Sequence, residues 1–158
     1  MKLKSLLSGL NKRKADWVGL RKVTETTMIN AIRDLKPEQH STNISSGIMV
    51  EVLYQGQFAY AATPNLSINE VQKAFDRAFR DATQASNYGI YKFNQDVRPG
   101  YNGKYNSPYQ IDFNSISNEQ INHILIKANE AMQISDKIKN VLAMLRIVET
   151  DMEYISTS

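Results

Sequence analysis

The sequence predicts an α+β fold, an antiparallel sheet with a central hairpin packed against two long amphipathic helices. Three observations carry this reading. Two strand-like runs, residues 47–54 (GIMVEVLY) and 57–62 (QFAYAA), flank Gln55-Gly56, and glycine at the second turn position suits a type I′ hairpin because it takes positive φ without steric cost. Two later segments repeat apolar residues at helical spacing behind a serine cap. Helices that follow a run of strands, rather than alternating with them, argue against a parallel nucleotide-binding sheet. At 158 residues the chain reads as a single domain with a real core.

Taken in order, Leu3, Leu6, Leu7 and Leu10 obey the i, i+3, i+4, i+7 rule and predict a short helix over 2–13. Residues 17–28, rich in Val, Thr and Trp, read as a strand, and 26–33 as its continuation or a second strand. Pro37, Asn43 and three serines make 34–46 a turn-rich connection. In the hairpin, Ile48, Val50, Val52 and Tyr54 share one face, and Met49, Glu51 and Leu53 the other. Only Glu51 is charged there, so both faces are expected to be partly covered.

Ser67 and Glu70 form a predicted capping box for a helix over 67–86, whose stripe is Val71, Ala74, Phe75, Ala78, Phe79, Ala82 and Ala85. Ser117 and Gln120 open a second helix to about 137, with Ile121, Ile124, Leu125, Ala128, Ala131, Met132 and Ser135 as its stripe. Residues 141–148 read as a strand, 149–151 as a turn, and 152–157 as a returning strand.

Several function classes lose support. Cysteine is absent, which removes disulfides and thiolate metal sites. The two histidines, His40 and His123, are far apart in sequence, and no H-E-x-x-H is present. His123 is expected half-buried at the edge of its helix stripe, and His40 in solvent. Neither a phosphate-cradling glycine loop nor a G-x-S-x-G elbow occurs. No apolar run reaches membrane-spanning length, and the leucines near the N-terminus form no secretory h-region, so a cytoplasmic protein is expected.

The net charge of +3 is local. Residues 1–22 hold seven basic groups against Asp16, while the rest of the chain is net acidic. Such a run reads as a solvated helix face or as an arm for an acidic partner. Without interleaved aromatics, nucleic acid is not the expected partner.

Residues 87–116 form a long stretch without periodicity that carries Tyr88, Tyr91, Phe93, Tyr101, Tyr105, Tyr109 and Phe113. Loops of this length are commonly functional. Tyrosine suits recognition of peptide chains, and it also serves simply to anchor a loop on its own sheet.

From the hairpin onward the chain resembles a known family. Residues 47–63, GIMVEVLYQGQFAYAAT, look like the segment G-[IV]-x-V-R-V-x-x-x-G-x-x-G-[FY]-A-x-T of the TldD/PmbA family, the modulators of DNA gyrase that are also classed as metallopeptidases. Leu66 and the helix over 67–86 fit its continuation, and residues 15–21 (ADWVGLR) resemble its opening strand. Residues 105–109 (YNSPY) and the helix after Ser117 fit its later course. Glu51 stands where arginine is usual, and Gln57-Phe58-Ala59 lacks the glycine before the aromatic.

The resemblance implies a fold like that family's N-terminal domain, in a chain that is a piece of a longer protein. It implies a substrate-cleft and assembly domain of a zinc metalloprotease acting on small or unfolded peptides, working as a homo- or heterodimer. The zinc would sit on an H-E-x-x-x-H helix in the later part of TldD-type members, so no catalytic or metal residue is assigned to this chain. Tyr54, Phe58 and Tyr60 on the hairpin, with Tyr101 and Tyr105 in the loop, are the expected peptide-binding residues. The competing reading is a non-catalytic PmbA-like partner subunit or protein-interaction module. A DNA- or gyrase-associated domain comes third.

Overall fold

The computed structural model describes residues 2–100 and 102–157. Its elements are α1 (Leu3–Gly9), β1 (Trp17–Arg33), β2 (Lys36–Tyr54), β3 (Gln57–Thr63), α2 (Ile68–Ser86), α3 (Asn118–Met132) and β4 (Leu142–Ser156). Two single 3-10 turns, Gln95–Val97 and Phe113–Ser115, interrupt the long connection between α2 and α3. The four strands form one sheet in the order β3-β2-β1-β4, which makes β3 and β4 its edges.

Two compact units divide the chain: Met1–Thr24, Ser45–Gly103 and Thr150–Ser158 make one, Glu25–Ile44 and Lys104–Glu149 the other. In the first, α2 lies on one face of the sheet. Val71, Ala74, Phe75, Ala78 and Ala82 pack with Val18 and Leu20 of β1, Ile48, Val50 and Val52 of β2, and Ala59 of β3. The strand residues alternate as a pleat requires, and the alanines let the helix approach closely. Phe75 is fully buried, and truncating such a ring costs about 3–5 kcal/mol.

The leucines of α1 join this core. That helix stops at Gly9, well short of residue 13, because Leu10 turns extended and the Asn11 N–H is taken by the Gln72 side chain at 2.9 Å. The hairpin turn is as expected: Gln55 and Gly56 have φ of 48° and 83°. At the α2 start the Ser67 hydroxyl accepts the Glu70 N–H, while the Glu70 carboxylate binds Lys73 rather than reaching back.

In the second unit, Ile121 and Leu125 of α3 pack with Ile32 of β1 and Ala143 of β4. The buried row on α3 is Ile121, Leu125 and Asn129, whereas Ile124 and Met132 are exposed and the helix ends at Met132. Its capping box is complete: Ser117 and Gln120 each bond the other's backbone N–H. Asn129 is fully buried, donating to the carbonyls of Ile32 and Val141 and accepting the Leu35 N–H at 3.0 Å. His123 is exposed, not half-buried. His40 is exposed, with its Nδ1 hydrogen-bonded to Asn30 Oδ1.

Two strand expectations are corrected. Residues 36–46 are not a connection but the first half of β2, and the turn is only Asp34-Leu35, both with positive φ. Pro37 is tolerated because β3 pairs with β2 only from Ile48 onward, so its missing N–H removes no bond on that side. Residues 149–151 are not a turn. β4 runs straight through them, with no residue there at positive φ, and pairs with β1 instead of folding on itself.

Candidate functional site

The face of the first unit turned away from α2 carries the chemistry. The β2–β3 register sets Glu51 opposite Tyr60 and Leu53 opposite Phe58, so these four share that face. Tyr54 pairs with Gln57 and belongs to the other side, where its ring meets Phe79 at 4.9 Å. The structure therefore separates Tyr54 from Phe58 and Tyr60. Tyr105 lies in the second unit and is strongly exposed, and Tyr101 lies outside the described residues.

At the centre stands Glu51, with no exposed surface. Arg21 Nη2 donates to its Oε1 at 2.9 Å, and Arg98 Nε to its Oε2 at 3.4 Å. A buried charge persists only when paired in this way. Arg21 sits under the Tyr154 ring, 5.7 Å from its centroid, and Arg98 over Phe58 at 5.3 Å. Arg98 Nη2 also donates to the Tyr60 hydroxyl at 3.4 Å. Trp17, almost wholly buried, meets Phe58 edge-on at 5.9 Å, and Phe58 stacks with Tyr60 at 6.4 Å.

Electrostatics follow from this cluster. Burial raises the Tyr154 hydroxyl above its ordinary pKa, Glu51 and Tyr60 add to the rise, and Arg98 and Arg21 oppose it. For Arg98, burial works against the cation. The hydrogen bond to Glu51, the Glu51 charge and Tyr60 outweigh it and hold the guanidinium above its ordinary value.

The long connection closes over this face. The Phe93 N–H donates to the Gly56 carbonyl at 2.9 Å, Gln57 Nε2 donates to the Tyr91 carbonyl, and the Phe93 ring meets Phe58 at 6.0 Å. Beyond this anchor β3 is an edge. In a two-residue hairpin the odd residues from Gln57 bond to β2, so Phe58, Tyr60 and Ala62 turn their backbone groups outward. One of these is capped, the Ala62 carbonyl by Arg77 Nη2 at 2.9 Å.

Sequence reasoning found Phe58 and Tyr60 but not Arg21, Arg98 or Tyr154. Glu51 was the available signal, a lone charge inside an apolar strand that required a partner. Among the described residues no group of three or more His, Asp or Glu side chains could hold a metal ion, so a resident zinc does not fit them. No described helix is long and apolar enough to cross a membrane.

Comparison with known proteins agrees with this architecture. Residues 23–82 match the family description "PmbA/TldA metallopeptidase domain 1". No curated protein sequence matches the chain significantly. Among solved structures it is similar to a Thermotoga maritima protein described as a modulator of a DNA gyrase, with TM-score 0.65 and 13% identity over 98% of this chain and 34% of that one. A Bacteroides thetaiotaomicron protein of the same description gives TM-score 0.67 and 12% identity over 98% and 34%. TldE from Thermococcus kodakarensis gives TM-score 0.59 and 12% identity over 90% and 32%. The chain thus spans about a third of the length of these proteins. Residues 23–82 thus match the first-domain model of the PmbA/TldA metallopeptidases, and the fold of the chain is similar to that of these three solved structures.

Proposed function

We propose that the chain is the substrate-cleft and assembly domain of a TldD/PmbA-type zinc metalloprotease acting on small or unfolded peptides. It positions an extended peptide while metal chemistry is supplied by another segment or a dimer partner. One observation carries the reading: the outward backbone groups of Phe58 and Tyr60 on edge strand β3 adjoin an aromatic, cationic face. An extended chain added to such an edge gains main-chain hydrogen bonds, and neighbouring rings select its side chains. Phe58 and Tyr60 are the contacts on this surface, with Tyr54, Tyr101 and Tyr105 kept as sites to test. The reading places the protein in the cytoplasm.

The test is a backbone amide NMR titration with an unstructured, C-terminally amidated peptide. Shifts over Gln57–Ala62 support the reading, and an unperturbed β3 rejects it. Zinc-dependent, chelator-sensitive peptide cleavage by this chain alone would overturn the division of labour. The alternative reading is a non-catalytic PmbA-like partner subunit or protein-interaction module. That reading predicts the same peptide or subunit contact without any contribution to hydrolysis.

A further inference from the structure

The cluster around Glu51 carries unspent charge. Arg21 and Arg98 supply two positive charges and Glu51 one negative, and the carboxylate is sealed from solvent. Arg21 donates to Glu51 at 2.9 Å, and its buried Nε has no partner among the described residues. Among the described residues, the hydrogen bonds of Arg98 to Glu51, the Val97 carbonyl and Tyr60 are each 3.4 Å long. Charge-assisted bonds of full strength run at about 2.7–2.9 Å. Arg98 therefore keeps donor capacity, with its side chain 39% exposed. Tyr60 and Tyr154, 47% and 43% exposed, stand near it with hydroxyl groups that can donate a hydrogen bond.

We propose that this cluster is a carboxylate subsite: Arg98, backed by Arg21 and flanked by Tyr60 and Tyr154, receives the C-terminal carboxylate of a peptide whose last side chain rests on Tyr60. The identity of the ligand as a peptide rests on the function proposed above; the anion site rests on the geometry. One unspent positive charge matches a monoanion. A phosphate dianion would leave net negative charge beside the buried Glu51. A guanidinium fork matches a carboxylate bidentately, and the aromatic wall suits an apolar terminal residue.

The experiment is an NMR titration of the full 158-residue chain, following arginine Nε–Hε and β3 amide signals. The probes are N-acetyl-L-phenylalanine, its carboxamide, N-acetyl-L-glutamic acid α-amide and inorganic phosphate. The free acid should shift the Arg98 signal and bind at least about tenfold more tightly than the carboxamide, tenfold being about 1.4 kcal/mol. Arg98→Gln should abolish the preference with the amide spectrum otherwise unchanged, and Arg98→Lys should restore part of it. Equal binding of acid and carboxamide, or an unchanged preference in Arg98→Gln, overturns the subsite. Equal binding of the glutamic acid α-amide overturns the C-terminal assignment, and tighter phosphate binding overturns the carboxylate class. If a long amidated peptide shifts β3 while the free acid gains nothing, the subsite fails and the peptide-edge reading stands. If the acid shifts Arg98 while that peptide leaves β3 unperturbed, the subsite stands and the edge reading fails.

Discussion

Arg21 holds Glu51 more closely than Arg98 does, at 2.9 Å against 3.4 Å, on a carboxylate that has no contact with solvent. Removing one partner of a buried charge leaves that charge uncompensated, and the penalty depends on which partner is lost. Arg21→Met should therefore cost about 3 kcal/mol, near the lower end for broken buried pairs. Arg98→Met leaves the short bond intact and should cost about 1 kcal/mol, as for a partly exposed pair. Urea unfolding of both variants measures the difference, and equal losses would contradict this hierarchy.

Gly19 lies where no side chain fits. A methyl group there would stand 2.6 Å from the Trp17 ring and 2.9 Å from the Tyr154 hydroxyl. Gly19→Ala should destabilise the protein by about 1–3 kcal/mol through overpacking. Thermal unfolding gives the loss, and tryptophan fluorescence should report the displaced Trp17.

Tyr154 supplies a pH signature. Its folded-state pKa lies above the ordinary value, so between the two the folded protein binds more protons than the unfolded chain. Stability is then complete below about pH 10 and declines as the pH rises from there through the folded-state value. Tyr154→Phe should flatten that decline. Denaturant unfolding at pH 8 and at intervals above pH 10 compares the two proteins, and an unchanged slope in the variant would reject the assignment.

Asn129, itself fully buried, makes hydrogen bonds to backbone groups of Leu35, Ile32 and Val141. Asn129→Leu removes the acceptor of the Leu35 N–H and the side-chain donor to the Ile32 carbonyl, while the Val141 carbonyl keeps the Asp34 N–H. The expected loss is about 2–4 kcal/mol, since unsatisfied buried groups bear their full desolvation cost. Hydrogen exchange at Leu35 should accelerate in the variant.

The parts of the fold visible in sequence were those written in local chemistry. The Gln55-Gly56 turn, the serine caps and the apolar stripe of α2 all depend on neighbours within a few residues. The long strands were hidden because their partners are distant. Residues 36–46 are polar on both sides, so no alternation marks them, and Asp34-Leu35 lacks the glycine that announces such a turn. Asn129 was missed for a similar reason: a polar side chain in a buried row defies the hydrophobic pattern. Of the candidate site, Phe58 and Tyr60 were legible as strand aromatics. Arg21, Arg98 and Tyr154 come from three separate segments, and only folding brings them around Glu51.

Asp34 and Leu35 both adopt left-handed backbone, at φ of 48° and 64°, a conformation that costs a non-glycine residue roughly 1 kcal/mol or more. The turn is held because Asn129 accepts the Leu35 N–H while Asp34 exchanges bonds with Val141 through both its backbone and its side chain. The polar first half of β2 that follows, residues 36–46, has no buried apolar face of its own. A single amide on α3 thereby ties down the turn end of the β1–β2 ribbon, while the buried residues of β2 hold the other end. Without it, the left-handed turn loses a bond that offsets its backbone cost, and the polar end of the ribbon loses an anchor that its own side chains do not supply.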